Sequence, residues 1–335
     1  MIIEYSEKYE SQWDKFVLQD SMNGTFLQTR SFLNYHPKNR FVDNSLIFMK
    51  GTNIIAVLPA NLIEDGGRKI LFSHMGSTFG GIVLGKAYKK ISNVEMIFAE
   101  LEDYFLQNNI VEVHLKMTSE IYSSDFSELL DYFSLLNHYT VTGEMGYYID
   151  LTHYTNANKI EENFTASRRR DYRYSLKNNL EFKEIDTSEE IENFYSVLCN
   201  NMEKFHTKPV HSLEELLLLK ERCIPDNIRF YAIIKENEII SGGMIFCFGN
   251  KVFHTQYLAT NQDYLALYPN EFLYYNLIKK AIEDNFKYIS FGTATLEHGK
   301  ILNKSLAQFK EGFGTREFMN RSYHKNLILR DKGRK

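Results

Sequence analysis

One succession of hydrophobic periodicities passes along the chain twice, and it limits the available folds more than any single motif. In residues 1–150 a short strand (2–5) and two helical segments (about 8–18 and 30–36) precede three strands, 45–49, 53–62 and 69–74, joined at Lys50-Gly51-Thr52 and Asp65-Gly66-Gly67. A helix (about 88–107), a strand (111–116), a helix (about 125–136) and a strand (139–149) follow. From residue 151 the order returns with additions. A basic helix (about 166–179), a strand (181–184) and helices (about 188–205 and 212–222) lead to strands 229–234, 238–248 and 251–259, linked at Glu236-Asn237 and Gly249-Asn250. A helix (about 270–285), a strand (288–292), a helix (about 303–312) and a strand (316–323) close the chain.

At 335 residues the chain exceeds what one core usually organises. The expected fold is therefore α/β of the α+β kind: two tandem domains, each a mixed, mostly antiparallel sheet flanked by helices. The polar, helix-poor stretch 150–158 places the division at 1–152 and 153–335.

Charge narrows the partners. A net charge of −4 argues against a general binder of nucleic acid or anionic membrane, so no DNA partner is expected. No apolar run of about 18 residues occurs, and the first residues carry acids where a signal peptide carries bases. The expectation is a cytoplasmic protein without integral membrane association. Cys199, Cys223 and Cys247 have no C-x-x-C spacing and read as reduced, buried thiols. No His and Cys set has metal-ligand spacing, so no metal is expected, and no G-x-S-x-G elbow marks a serine hydrolase.

Two segments carry a resemblance. Ser167-Arg168-Arg169-Arg170-Asp171-Tyr172-Arg173-Tyr174-Ser175-Leu176-Lys177 is similar to the basic helix that opens the second domain of Fem peptidyl transferases. Leu302-Asn303-Lys304-Ser305-Leu306-Ala307-Gln308-Phe309-Lys310-Glu311-Gly312-Phe313-Gly314 is similar to their late F-K-x-x-F/G segment. Together with the doubled order, the chain resembles tandem GNAT acyltransferases of the Fem type and related acetyltransferases. The resemblance implies transfer of an acyl group to an amine, with acetyl-coenzyme A or another acyl-coenzyme A as donor, or aminoacyl-tRNA as the alternative. One departure stands out: the Gly-rich diphosphate loop of conventional acetyltransferases is replaced by residues 259–270, which contain no glycine.

Individual side chains can then be weighed. Leu306, Phe309, Lys310 and Phe313 recur at i, i+3, i+4 and i+7, setting an ammonium in an apolar stripe. It must snorkel, pair with an acid or face a site. The resemblance implies the last, with Lys310 stabilising the oxyanion formed when an amine attacks an acyl carbonyl. Arg169, Arg173 and Lys177 at i, i+4 and i+8 form one row able to grip phosphate, or else a solvated face paired with acids. His74, Ser77 and Thr78 lie in a glycine-bearing loop that reads as a tight turn or as a phosphate cradle for the acceptor. His254 and Gln256 interrupt an apolar strand: His254 is either a proton acceptor or a structural imidazole. His206 and His211 occupy a loop between helices, where acyltransferases of this shape often bind their acceptor.

The function that the resemblance implies is N-acylation of an amine on a cell-envelope or polysaccharide precursor, with a small-molecule or nucleotide-linked acceptor. The alternatives are an aminoacyl-tRNA-dependent transferase, with tRNA as partner, and a catalytically silent duplicate that only binds ligand.

Overall fold

Apolar residues at helical and alternating spacing build the buried cores. The computed structural model describes residues 1–154, 157–204 and 206–328. Positions 155 and 156 of the expected linker and Phe205 of an expected helix lie outside them. The chain divides into one unit of Met1–Glu144 together with the segment from Met319, and a second of Met145–Phe318. Among the described residues one core lies in the second unit, and two in the first, the smaller around Trp13, Phe16 and Val57.

The first unit contains β1 (Ile2–Glu4), β2 (Val42–Asp43), β3 (Leu46–Lys50), β4 (Asn53–Leu58), β5 (Asn61–Asp65), β6 (Arg68–Phe72), β7 (Val83–Leu84) and β8 (Ile110–Lys116). Its helices are α1 (Glu10–Lys15), α2 (Arg30–Leu33), α3 (Ile91–Gln107) and α4 (Leu129–Leu136). One antiparallel sheet runs β1-β3-β4-β7. A second contains β8-β6-β5-β2, with β6 and β8 parallel. Helix α3 buries Val94, Ile97, Phe98, Leu101 and Phe105, residues spaced to share one face. They meet Leu58, Leu71, Val113 and Leu115 from the strands, and each such buried side chain contributes roughly 1.5–3 kcal/mol.

The second unit contains β9 (Thr140–Asp150, from Met145), β10 (Glu181–Ile185), β11 (Ile228–Lys235), β12 (Glu238–Phe248), β13 (Val252–Thr260), β14 (Tyr288–Thr293) and a small hairpin, β15 (Thr295–Leu296) with β16 (Ile301–Leu302). Its helices are α5 (Ala166–Ser175), α6 (Ser188–Glu203), α7 (Leu213–Leu218), α8 (Pro269–Glu283) and α9 (Lys304–Glu311). The sheet runs β10-β11-β12-β13-β14-β9, antiparallel except between β13 and β14. Glu236 and Asn237 both take positive φ between β11 and β12, as a two-residue hairpin of type I′ requires.

The final strand, β17 (Arg316–Asn326), begins in the second unit and ends in the first. Its residues Ser322–Asn326 pair antiparallel with Glu112–Lys116 of β8, and Tyr323 enters the larger core of the first unit. The expected division at 152/153 kept this strand with the second half. Pairing across more than 200 residues of sequence, which no local period encodes, returns its end to the first.

Candidate active site

The site grows from a place where two neighbouring strands part. β13 and β14 pair in parallel only over Val252–His254 and Tyr288–Ser290. Beyond that point β13 remains with β12 while β14 continues along β9. Two irregularities accompany the parting. Gln256 is the extra residue of a bulge, because Met244 faces Tyr257 and the next residue, Ile245, faces Thr255. Gly292 takes φ +68, a conformation that favours glycine, where β14 shifts against β9.

Lys310 reaches this place from α9. It is only 4% exposed, and its Nζ donates to the carbonyl oxygen of Thr293, the last residue of β14, at 2.6 Å. Burial pulls the ammonium down to about 7. The stripe that carries it differs from the expected one by a small rotation: Ala307, Lys310 and Phe313 are buried, whereas Leu306 is exposed. Phe313 supports the arrangement by packing on Phe164, Tyr274 and Phe291.

His254 stands at the last position of β13 that is paired with β14. Its Nδ1 lies 3.0 Å from Ser290 Oγ, and its ring also hydrogen-bonds the Gln256 side chain. Burial, followed by the Lys310 charge, pushes this imidazole down to about 4, so it is neutral near pH 7. Thr255 Oγ1 donates to the Ser290 carbonyl at 3.1 Å, closing the apex. His211 approaches the same strand through its Nδ1, 2.8 Å from the Tyr257 hydroxyl. His206, on the same loop, is exposed.

The basic helix is positioned by its own cations. Arg169 donates through Nε to the Glu161 carbonyl at 2.9 Å and through Nη2 to the carbonyls of Glu162 and Phe164 at 2.8 and 3.0 Å. Arg173 pairs with Glu161 Oε1 at 2.9 Å on the exposed side. Lys177 lies over the Tyr174 ring at 5.3 Å. Arg169 and Arg173 therefore fasten α5 to the segment before it, Arg169 spending its guanidinium on backbone oxygens, whereas Lys177 lies beyond the helix, which ends at Ser175 and not near residue 179 as expected.

Arg168, which the sequence sets beside that row as one more cation of the basic helix, turns instead toward α8 and α9. It forms an ion pair with the buried Glu271 of α8 and lies 4.3 Å from the Phe309 ring centre and 5.4 Å from that of Phe313. Those two rings bracket Lys310 on α9. Ser290 and Thr293 were missed. A polar residue within the apolar run Tyr288-Ile289-Ser290-Phe291 carries the same signal that marked His254.

In the first unit, His74 is buried with φ +67, and its Nδ1 accepts from the Gly76 N–H at 3.2 Å. Burial, then the neighbouring His36, pushes it down to about 4. It sits in a cleft of about 490 Å³ that also includes Arg30, His36, Phe41 and Asp43. Ser77 Oγ donates to the Phe79 carbonyl at 2.8 Å, a local turn bond, and Thr78 is half-buried beside it.

Residues 166–300 match the acetyltransferase (GNAT) domain family. The second unit thus contains a GNAT acetyltransferase domain, and the chain is an acyltransferase of that type. Its tandem-GNAT fold resembles that of FemX, with 11% identity, a TM-score of 0.70 and 98% of each chain covered. It is also similar to a tandem GNAT protein from the clavulanic acid biosynthesis pathway, with 7% identity, a TM-score of 0.57 and 98% of each chain covered. L-PGS from Bacillus licheniformis shares 11% identity at a TM-score of 0.55, over 87% of this chain and 86% of that one. No curated protein matches the sequence. No helix among the described residues is long and apolar enough to cross a membrane.

Proposed function

We propose that the second unit transfers an acyl group to an amine of a cell-envelope or polysaccharide precursor, with Lys310 as the group that stabilises the developing oxyanion. The observation that carries this reading is the buried Lys310 ammonium, held by the Thr293 carbonyl beside the parting strands. The amine nitrogen attacks the acyl carbonyl carbon, the carbonyl π electrons move onto oxygen, and the ammonium meets that charge. The tetrahedral species then collapses, the bond to the donor's sulfur or oxygen breaks, and the amine's proton passes to water. His254, neutral and already hydrogen-bonded to Ser290 and Gln256, lines the site and is too weak a base to be its proton acceptor. Gln256 and His211 border the acceptor's approach along β13, with His206 at its exposed rim. His74, Ser77 and Thr78 face a separate acceptor contact on the first unit.

Domains of this type generally draw on an acyl-coenzyme A. The turn into α8, where a diphosphate would sit, does not fit that group: Pro269 at the first helical position lacks an N–H, and the buried Glu271 carboxylate follows it. This favours a second reading for the donor, aminoacyl-tRNA. Arg173 on α5 and Lys177 just past its end, both exposed, suit a phosphate-bearing donor.

Incubating the protein with amino-sugar nucleotides and either acetyl-coenzyme A or charged tRNA, followed by mass spectrometry, tests the reading. An acylated amine is expected with one donor. Unchanged acceptors with both donors, from protein that still binds an acceptor in a thermal-shift assay, would leave only the silent-duplicate alternative.

The Lys310 titration supplies a further expected result. An ammonium that titrates near 7 is fully present at lower pH and lost as pH rises. The ratio of wild-type to Lys310→Met turnover, in which the acceptor's own titration cancels, should be flat below about pH 6 and fall above about pH 7. A ratio that rises through this range would make Lys310 a base instead.

A further inference from the structure

In the first unit, the pairing of β8 with the end of β17 brings His324 to Glu112 and His114, more than 200 residues earlier in the sequence. Glu112 and His114 are two positions apart on β8 and share a face, and His324 of β17 lies directly opposite His114. His114 Nε2 and His324 Nε2 stand 2.9 and 3.2 Å from the same oxygen, Glu112 Oε1. One ligand atom from each residue falls within 4.8 Å of the other two.

We propose that Glu112, His114 and His324 form a divalent transition-metal site, best suited to Zn²⁺, that clips the terminal strand onto the first unit's sheet. Tetrahedral zinc with ligand bonds of about 2.0–2.1 Å has ligand-to-ligand edges of roughly 3.3 Å, close to the 2.9 and 3.2 Å from Glu112 Oε1 to the two imidazoles, whose own separation is within 4.8 Å. Two imidazoles and one carboxylate are a zinc-type donor set that leaves a fourth position for water. The three side chains are half-buried, so an ion has access from solvent.

The surroundings orient the ligands. Arg68 donates to the other carboxylate oxygen, Glu112 Oε2, at 2.8 Å, which directs Oε1 toward the imidazoles. Phe72 stacks on the His114 ring at 4.5 Å and 9°, and the two imidazole rings lie 4.6 Å apart. Partners behind the ligands that fix ring and carboxylate orientation are typical of built metal sites. The sequence reading expects no metal because two ligands come from β8 and the third from a strand more than 200 residues later.

Titrating the untagged full-length protein with Co²⁺ tests the proposal. Saturable visible d–d absorption with one ion per chain, displaced by Zn²⁺, is expected. His114→Asn and His324→Asn should each weaken binding by more than the roughly 10–100-fold typical of losing a partner behind the ligands. Zn²⁺ should also raise the melting temperature of the wild type and not of either variant. If a variant fails to fold, Glu112→Gln serves with the same readouts. Absence of d–d absorption in the wild type, or binding undiminished by the substitutions, overturns the site.

Discussion

Lys310→Met is expected to lower turnover by about 10²–10³-fold while the protein remains folded, because it removes a donor aimed at transition-state charge. Methionine keeps the length and apolar stem of lysine, so the slot between Ala307 and Phe313 stays filled. The native state bears a cost for this ammonium. Holding it at about 7, against its ordinary 10.5, penalises folding on the order of 4 kcal/mol at pH 7. The penalty is complete below about pH 7 and fades as pH rises toward 10.5, since over that range the unfolded chain binds the proton and the native protein does not. Wild-type stability should therefore climb from pH 7 to pH 10, and that part of the slope should vanish in Lys310→Met. The substituted protein should unfold at an equal or higher urea concentration than wild type near neutral pH. Loss of activity together with lost stability would mean that Lys310 is a packing residue, and full activity would remove the mechanism.

This trade of stability for charge explains why the site was partly legible in the sequence. A cation on an apolar stripe, and a histidine within an apolar strand, conflict with the local pattern, and both conflicts mark residues that the fold brings to the parting of β13 and β14. The meanders were legible for a similar reason: alternation and hairpin turns such as Glu236-Asn237 are local. What the sequence withheld is the partner each side chain finds, near or far. The spacing of Arg169, Arg173 and Lys177 shows that they share a face, but not that the backbone oxygens of residues 161–164 would take the guanidinium of Arg169. Arg168 lies one position away from that row, and its partner is an acid 103 residues later. The return of β17 to the first unit, and with it the meeting of His324 with His114, depends on a strand register that no window of sequence contains.

The ion pair between Arg168 and Glu271 leads to the second large effect. Both side chains are largely enclosed, and Glu271 stands in the first turn of α8. Arg168→Ala strands a buried carboxylate and strips the cation from the faces of Phe309 and Phe313, so the second unit should lose roughly 3–5 kcal/mol. The paired change Arg168→Ala with Glu271→Gln should recover part of that loss, because most of it comes from the uncompensated charge and not from the missing contact. Arg168→Lys keeps the charge but not the planar fork that both pairs with the acid and stacks on two rings. It is expected to restore less than the paired change, as measured by urea unfolding with a probe in the second unit. At low temperature, where Arg168→Ala remains folded, turnover should fall while the pH dependence of the Lys310 step shifts, since the rings that bracket Lys310 lose their cover and water gains access to its ammonium. A pH profile identical to wild type would mean that Arg168 holds α5 to α8 without positioning the lysine, and the coupling from basic helix to active site would have to be abandoned.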